Sequence, residues 1–453
     1  MKGNGLCEHA PRMLVAALLA TGLVACGGGG GGGGGPVQVP PALVSIGGTI
    51  TGLADDKNIS LVLDGAPSET FAQLNAAGFE FVFARELSRG ATYNVSIGLN
   101  PLNQLCELSN GSGTANANVR NISIVCRDTL LNDTGVSAGQ DGSTGRDASA
   151  AAGILAKVGA GRVGFDFSRV CSSGEVAGSG SCPSSPTRGD GANEWACTRD
   201  NVTGAYWQVR TESADHPWSE VGQPATAANT AMLCGRDDWR LPTPVELSGI
   251  VDSGAVAAAV AIDTGLFPDT AAVAYWTSTE SVQDPASSWV VEFDNGAVGI
   301  ASQANAARVR LVSGEQIEAD FSFEAPNVLV DGRSGLMWLS TSQTGTWEAA
   351  QAAAAGVNAN SPGGHSDWRL PNRNELGSLV DRLQRGPAAD AGVVAGFAPA
   401  LAPSGYWTSS AFSAAAGTPA NAWVVDFGEG DILPSAVGNN RRIMLVRNRT
   451  HGT

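Results

Sequence analysis

The sequence predicts a multidomain, strand-rich protein, with an all-β sandwich near the N-terminus followed by two tandem α+β domains. Three observations predict this architecture. The 453-residue chain is too long for one ordinary hydrophobic core. Its 59 glycines and its charged fraction of only 15% suit short strands and many turns rather than long solvated helices. The stretch DWRLP occurs at 238–242 and again at 367–371, which indicates an internal duplication.

The first 26 residues have the features of an export signal. Lys2 and Arg12 precede an apolar run over 13–25, which is too short to cross a bilayer as a helix. The run ends in the sequence LVAC, which resembles the bacterial lipobox, in which a small residue precedes a cysteine that carries the lipid. We therefore expect residues 1–26 to be a lipoprotein signal peptide and Cys26 to be the lipidated first residue of the mature protein.

A glycine-rich tether follows the expected lipid anchor. Residues 27–42 contain nine consecutive glycines, which cannot bury apolar surface and behave as a flexible linker. Gly27 directly after the cysteine resembles the sorting pattern of outer-membrane lipoproteins. The predicted location is therefore the cell envelope, with the outer membrane as a partner through the lipid, facing the cell surface or the periplasm.

The cysteine count agrees with export. Of the 8 cysteines, one lies in the removed signal peptide and one carries the lipid, which leaves an even number in an oxidising compartment. Domain membership then narrows the pairing to three predicted disulfides. They are Cys106–Cys126, Cys171–Cys182 and Cys197–Cys234.

Residues 43–126 read as a small antiparallel β-sandwich. The segments SIGGTITGL, ISLVLDG, FEFVFAREL, ATYNVSIG and NISIVC alternate apolar and polar residues, and each ends in a turn. The segment resembles the immunoglobulin-like modules of bacterial surface lipoproteins, which act as spacers. The next stretch, NDTGVSAGQDGSTGRDASAAAG, is irregular. Its acids could bind calcium, but they lack the regular Asp-x-Asp spacing of a calcium loop, so no metal site is predicted there.

The duplication extends far beyond the DWRLP stretch. Six blocks recur in the same order at offsets of 129 to 134 residues, including DWRLPTPVELSGIVD against DWRLPNRNELGSLVD and SWVVEF against AWVVDF. We therefore predict two homologous α+β domains, copy 1 at 127–314 and copy 2 at 315–450. Each copy should have one helix after its DWRLP turn, capped by Thr243 in copy 1 and by Asn372 in copy 2.

The repeated polar and aromatic residues are expected to hold the fold. An exposed indole could stack on a sugar, but a tryptophan inside a fold signature more often lies in the core. The guanidinium groups could bridge a carboxylate such as Asp294 or Asp426, or cap loop carbonyls, as scaffold interactions. The predicted signature residues are Asp238, Trp239, Arg240, Trp276, Asp367, Trp368, Arg369 and Trp407.

Several function classes find little support. The net charge of −16 and the pI near 4.6 disfavour nucleic acid as a partner. The histidines of the mature chain, His216, His365 and His451, do not cluster, so no metal site shared by the copies is predicted. Copy 2 has no cysteine, and the chain lacks a GxSxG elbow, a P-loop and an HExxH motif. We expect no catalytic residues and no cofactor.

The repeated blocks together resemble the Lcl C-terminal domain family. They include ACTRDNVTGAYW, LCGRDDWRLPTPVELSGIVD, AYWTST, SWVVEFDNG and ARVRLVSG, with their counterparts in copy 2. The family is named for the C-terminal part of a collagen-like bacterial adhesin that binds sulfated glycosaminoglycans, and its fold resembles C-type lectin-like domains. This resemblance implies an exported, non-catalytic binding module.

This chain departs from a polyanion-binding pattern, because it is acidic. Its local basic density is confined to Arg441, Arg442, Arg447 and Arg449. We expect adhesion to a surface glycan or protein, or alternatively a structural envelope role without a small ligand. The ligand is not identified by the sequence. A binding site is expected in the loops that differ between copies, from Tyr275 to Trp289 and from Trp407 to Trp423.

Overall fold

The computed structural model describes residues 42–448, apart from 54–57, 73–77, 100, 102–103, 129–130, 138, 156, 212–213, 256–259, 315–320, 326, 332–333, 385–387, 390, 398–399 and 413–418. The signal peptide, the lipidation site Cys26 and almost all of the tether therefore lie outside the described residues. Within the described part of the chain, no helix combines the length and the apolar character needed to cross a membrane.

The N-terminal domain is a β-sandwich. Its strands are β1 (Leu43–Val44), β2 (Ile46–Thr51), β3 (Asn58–Leu63), β4 (Glu69–Ala72), β5 (Phe79–Val82), β6 (Leu87–Ser88), β7 (Thr92–Leu99), β8 (Gln104–Ser109), β9 (Ser112–Thr114) and β10 (Val119–Asp128). Two four-stranded sheets, β5-β2-β10-β8 and β4-β3-β7-β9, enclose one apolar cluster. Isoleucines at alternate positions of β2 and β10 point into this cluster, as the sequence pattern predicts.

The sandwich is not wholly antiparallel as predicted. Strand β10 pairs with β2 in parallel, with Ile124 opposite Ile50. Hairpin-connected strands must be antiparallel, whereas the first and last long strands of this domain are far apart in sequence and have no such constraint. On its other side β10 pairs antiparallel with β8, which places Cys126 directly opposite Cys106.

All three predicted disulfides are present, which confirms the predicted pairing, including the choice among the four cysteines of copy 1 that domain membership left open. Cys106–Cys126 links β8 to β10 in the sandwich, and Cys171–Cys182 and Cys197–Cys234 lie in copy 1. The bond between Cys197 and Cys234 closes the longest of the three loops, with a sequence separation of 37. Closing a longer loop removes more conformational entropy from the unfolded chain, so this bond should contribute most of the three to the free energy of unfolding.

Copy 1 is mixed α and β. Its strands are β11 (Phe167–Cys171), β12 (Trp195–Asp200), β13 (Tyr206–Gln208), β14 (His216–Pro217), β15 (Ala274–Glu280), β16 (Ser287–Glu292), β17 (Val298–Ser302), β18 (Ala306–Ala307) and β19 (Val312–Ser313). Its helices are α1 (Gly145–Ala151), α2 (Gly222–Thr230) and α3 (Pro244–Gly249), with 3-10 turns at Asp141–Ser143, Trp218–Glu220, Leu233–Gly235 and Ser253–Ala255.

Copy 2 repeats this arrangement with longer strands. Its strands are β20 (Phe321–Ala325), β21 (Val328–Asp331), β22 (Leu336–Gly345), β23 (Gly405–Phe412), β24 (Asn421–Asp426), β25 (Ile432–Ala436) and β26 (Arg441–Asn448). Its helices are α4 (Trp347–Asn358), α5 (Arg373–Gly377) and α6 (Ala391–Gly396), with a 3-10 turn at Pro362–Gly364. The strand order β20-β21-β22-β26 reproduces β11-β12-β13-β19 of copy 1.

One predicted strand differs between the copies. The block ARVRLVSG of copy 1 forms only the two short strands β18 and β19, whereas its counterpart β26 is continuous. The intervening Arg310 is completely buried, and its guanidinium donates to the Gln208 carbonyl and the Thr270 hydroxyl. This part of the chain still pairs through single bridges, Arg308 with Tyr275 and Val312 with Arg240.

Equivalent side chains make equivalent hydrogen bonds in the two copies. Trp239 Nε1 donates to the Leu233 carbonyl at 2.9 Å, and Trp368 Nε1 donates to the Pro362 carbonyl at 3.3 Å. The Thr277 hydroxyl donates to the Trp289 carbonyl, as the Thr408 hydroxyl does to the Trp423 carbonyl. The side-chain amides of Asn229 and Asn358 donate to the backbone carbonyls of Trp239 and Trp368, respectively. The two copies therefore have one fold.

The copies meet through equivalent strands. Strand β17 pairs antiparallel with β25, with Val298 opposite Ile432. These two residues are related by the same 134-residue offset that relates Trp289 to Trp423. Helices α3 and α5, also equivalents, pack against each other. A contact in which each part touches its own counterpart is the arrangement of a two-fold dimer, here within one chain.

The apolar cores follow this pseudo-two-fold arrangement. One cluster is shared and takes residues from both copies, among them Leu247 and Leu376, and Trp289 and Trp423. Each copy also has its own outer cluster, which contains its DWRLP and YWTS tryptophans. The two copies bury their main core together, so neither copy is an independent folding unit by the usual criterion of a private core.

Two glycines allow the close approach of the copies. Gly430 of copy 2 lies against the Trp289 ring, and Gly296 of copy 1 lies against the Trp423 ring. A Cβ on Gly430 would stand 3.0 Å from the Trp289 ring, and the backbone φ there is +89°. At Gly296 a Cβ would lie 3.6 Å from Trp423, an ordinary contact, but the backbone φ of +84° and the Val251 side chain at 2.9 Å also favour glycine there.

Substitution Gly430→Ala tests this contact. We expect the free energy of unfolding to fall by about 2 kcal/mol, because the alanine is strained at positive φ and crowds Trp289. Urea unfolding followed by tryptophan fluorescence measures the change. Gly438→Ala is the control, since a Cβ there meets nothing within 4 Å. If both substitutions lowered the free energy of unfolding equally, the contact between Gly430 and Trp289 would not be the cause of the loss.

Candidate functional site

The signature tryptophans are core residues in both copies. Trp239 and Trp368 are each 2% exposed, and Trp276 and Trp407 are completely buried. The indole of Trp276 donates to the His216 carbonyl and that of Trp407 to the Gly345 carbonyl, which are equivalent positions. These rings are therefore unavailable as platforms for a sugar or a cation, as expected from their place in the fold signature.

The signature arginines form scaffold ion pairs, but not with the predicted partners. Arg240 binds both carboxylate oxygens of Glu246, and Arg369 binds both of Glu375, at 2.5 to 2.8 Å. Sequence analysis named Asp294 or Asp426 as the carboxylate partner, which was wrong. Its alternative, a loop carbonyl, is confirmed for Arg240, which also donates to the carbonyls of Leu241 and Gly314 at 3.3 Å.

Helix capping explains the choice of partner. Thr243 and Asn372 each form a capping box with the glutamate three residues later, as the predicted caps require. The cap places that glutamate at the start of the helix, where the DWRLP turn presents its arginine. A bidentate carboxylate contact follows from this local geometry.

The signature aspartates anchor the end of each copy. Asp238 accepts from the Ser313 hydroxyl and the Gly314 backbone, and Asp367 accepts from Arg447 at 2.6 Å. Ser313 and Arg447 occupy equivalent positions on β19 and β26. Every repeated polar side chain of DWRLP therefore has an internal partner, and none of these side chains is left to bind a ligand.

The segment 131–147, which we name the lead-in, lies between the two copies. The lead-in makes two hydrogen bonds to copy 1. The backbone N–H of Ser253 donates to the Thr134 carbonyl at 2.8 Å, and the side-chain amide of Asn132 donates to the Asp200 carboxylate. On copy 2 the lead-in contacts α5, because Asn372 donates to the Asp133 carboxylate at 2.9 Å. The predicted irregular stretch is thus a junction that touches both copies.

Three buried carboxylates converge in the lead-in. One carboxylate oxygen of each of Asp133, Asp141 and Asp147 lies within 4.8 Å of one from each of the others. All three residues are buried, and the Thr134 hydroxyl lies 2.7 Å from Asp141 Oδ2 and 3.2 Å from Asp147 Oδ2. We name these three aspartates the carboxylate cluster. It is the strongest concentration of potential ligand atoms among the described residues.

Burial makes the charged form of the cluster costly. Burial raises the pKa of Asp141 to about 8 and that of Asp147 to about 9, and the neighbouring Asp133 carboxylate adds to both shifts. Burial also raises the pKa of Asp133. Like charges this close in a dry site cannot all ionise without a compensating cation or proton.

Copy 2 differs from copy 1 where it meets the lead-in. The triplet Asn372-Arg373-Asn374 replaces Thr243-Pro244-Val245 inside an otherwise well-matched block. Asn372 and Asn374 bond to the lead-in, and Asn374 donates to the carbonyls of Asn132 and Asp133 at 3.0 and 3.2 Å. Arg373 is completely buried, donates to the Gly296 carbonyl of copy 1 and stacks on Trp423. Each of the three residues that differ therefore contacts either the lead-in or copy 1.

Comparison with known proteins supports the duplication. The family model described as the Lcl C-terminal domain matches residues 196–313 and again residues 327–447, together more than half of the chain. The chain belongs to the Lcl C-terminal domain family. No curated protein matches the chain.

The carboxylate cluster lies outside the two ranges matched by the family model, although copy 2 supplies residues that contact it. Its three aspartates precede the first matched range, whereas Asn372 and Asn374 lie inside the second. Sequence analysis considered calcium at these acids but predicted no metal site, because the three aspartates are 8 and 6 residues apart, which matches no metal-binding motif. One sequence feature could have indicated this site. The triplet TPV at 243–245 of copy 1 is NRN at 372–374 of copy 2, and this is where copy 2 contacts the lead-in.

The predicted ligand loops have different environments. In copy 1 the loop 281–286 folds back on itself, and the Gln283 amide donates to the Glu429 carbonyl of copy 2 at 2.9 Å. Asp284 accepts from Ser287 and closes the loop. The corresponding residues 413–418 of copy 2 lie outside the described residues.

Substitution Arg369→Ala tests the scaffold ion pair. It leaves the buried Glu375 carboxylate beside that of Asp133 without its cationic partner, although the Asn372 backbone still donates to it, so we expect a loss of about 3 to 5 kcal/mol in the free energy of unfolding. The matched substitution Arg240→Ala should cost about 1 kcal/mol, because the side chain of Glu246 is 22% exposed and that of Glu375 only 11%. Denaturant unfolding of both variants is the measurement, and an equal or reversed ranking would contradict the argument.

Proposed function

We propose that this protein is an exported lipoprotein, anchored to the outer membrane through Cys26, that binds a surface or matrix partner without catalysis. In this proposal the N-terminal sandwich is an immunoglobulin-like spacer, and the two Lcl C-terminal copies are C-type lectin-like modules that act as one unit. The partner is a cell-surface or matrix glycan. The protein faces the cell surface.

One observation carries the proposal. The repeated polar residues make the same internal contacts in both copies, while the loops between the repeated strands differ in length and sequence. A constant framework with variable loops is the usual construction of binding proteins, because the framework fixes the positions of loops that carry specificity. The shared core then fixes the strands that flank these loops relative to one another.

The charge distribution favours a neutral glycan over a sulfated one. Among the described basic residues near the C-terminus, Arg447 is 4% exposed and pairs with Asp367, whereas Arg449 lies outside the described residues. Arg441 is turned toward Ser435 of its own sheet. With a net charge of −16, the chain lacks the field that would attract a polyanion.

A structural envelope role without a small ligand is the second candidate. The docking of loop 281–286 onto copy 2 through Gln283 favours it, because a loop held in an internal contact is less available to a ligand. The two candidates differ in what a glycan array should show.

Metabolic labelling tests the anchor. We expect the protein to incorporate an alkyne-labelled fatty acid and to fractionate with the outer membrane, and Cys26→Ser should abolish both. The control Cys7→Ser alters a cysteine of the removed signal peptide and should leave labelling unchanged. Labelling that persists in Cys26→Ser, or is absent from the wild type, would contradict lipidation at this residue.

Binding is tested with the full chain carrying Cys26→Ser, applied to an array of neutral and sulfated glycans. We expect saturable binding to a subset of neutral glycans. Replacement of residues 413–418 by glycine and serine should weaken that binding by about tenfold without lowering the melting temperature. Gly438→Ala provides the control for a silent change in the same copy. An array without selective binding would favour the structural role.

A further inference from the structure

We propose that Asp133, Asp141 and Asp147 bind a calcium ion that ties the lead-in to both copies. The spacing of the cluster suits one ion. Calcium takes oxygen ligands at about 2.3 to 2.6 Å, so two ligands of the same ion lie at most about 5 Å apart. The three carboxylates are within 4.8 Å of one another. A single ion can therefore touch one oxygen of each.

Unpartnered oxygens provide an independent indication of a ligand. Asp141 is completely buried, and its Oδ1 has no donor in good hydrogen-bond geometry, although the Ser410 hydroxyl lies close enough to lower the pKa of this carboxyl. The side-chain oxygens of Asn132 and Asn374 also lack a donor, and these residues are 3% and 6% exposed. Asn374 is fixed against the cluster, because its amide nitrogen donates to the Asp133 carbonyl. Buried acceptors without donors are costly unless a cation satisfies them.

The nearby arginines are already engaged. Arg369 binds Glu375 in a bidentate pair, and Arg146 pairs with Asp166 at 3.8 Å and donates to the Gly164 carbonyl. Among the described residues, no ion pair within 4 Å reaches any of the three cluster carboxylates. Arg369 and Arg146 therefore act on the cluster only from beyond ion-pair distance, and a bound cation would add positive charge in direct contact with the three carboxylates.

The ligand chemistry selects the ion. The candidate ligands are carboxylate, amide and hydroxyl oxygens, with no cysteine or histidine, which favours a hard cation over zinc or copper. Magnesium keeps several water molecules and demands a regular octahedron, whereas calcium accepts irregular ligand sets. A buried, irregular set of protein oxygens therefore fits calcium better than magnesium.

The position of the site gives the ion a structural role. Asp133 accepts from Asn372 of α5, and the next residue, Thr134, accepts at its carbonyl from the Ser253 backbone of copy 1. An ion that neutralises the cluster would hold the lead-in in the conformation that makes both contacts. Calcium should therefore stabilise the junction as a whole, independently of any glycan ligand.

The experiment uses the full-length protein, purified in detergent, treated with a chelator and dialysed. Elemental analysis after equilibration with calcium should find one ion per chain. Calcium at 100 times its dissociation constant should raise the melting temperature by about 5 °C, whereas magnesium at the same concentration should have a smaller effect. Asp141→Asn should weaken calcium binding by more than about tenfold and remove the thermal shift.

The control Asp331→Asn alters another completely buried carboxylate, on β21, and should retain calcium binding. Should Asp141→Asn fail to fold, Asn374→Ala replaces it as the test variant, with the same expected loss of affinity. No calcium bound to the wild-type protein would overturn the proposal, and so would a preference for magnesium. Calcium that binds equally well to wild type, Asp141→Asn and Asn374→Ala would place the ion elsewhere and also overturn it.

Discussion

The antiparallel contact between β17 and β25 is the interaction on which the rest of the molecule depends. It sets Val298 opposite its own counterpart Ile432 and brings the faces of both copies into one apolar core. The reciprocal contacts of Gly296 and Gly430 with the tryptophan of the other copy are possible only in this register. Burying the apolar faces of both copies in a single core supplies a driving force that a separated copy would lack.

Much of the architecture could be predicted from the sequence because local patterns determine it. Turn residues, alternating strands and the caps at Thr243 and Asn372 act within a few residues, and domain membership limited the disulfide pairings. The partner of Arg369 could not be predicted reliably, since it depends on where the helix cap places Glu375. The parallel pairing of β10 with β2 depends on the long-range chain path, which no local pattern encodes.

The candidate site was the least predictable part for a related reason. Asp133, Asp141 and Asp147 belong to a stretch without periodicity, and only the folded chain shows that their carboxylates converge. Duplicated sequences keep their shared residues for the common fold, so new properties arise where the copies differ. The triplet at 372–374 illustrates this, because its two asparagines bond to the lead-in and its arginine bonds to copy 1.

The pseudo-symmetric contact also bears on the evolution of the gene. Long, similar repeats are prone to unequal recombination, and loss of one repeat would leave the surviving edge strand without its cover. An uncovered strand edge pairs readily with another chain. A shortened descendant of this protein would therefore associate as a homodimer that rebuilds the present arrangement from two separate polypeptides.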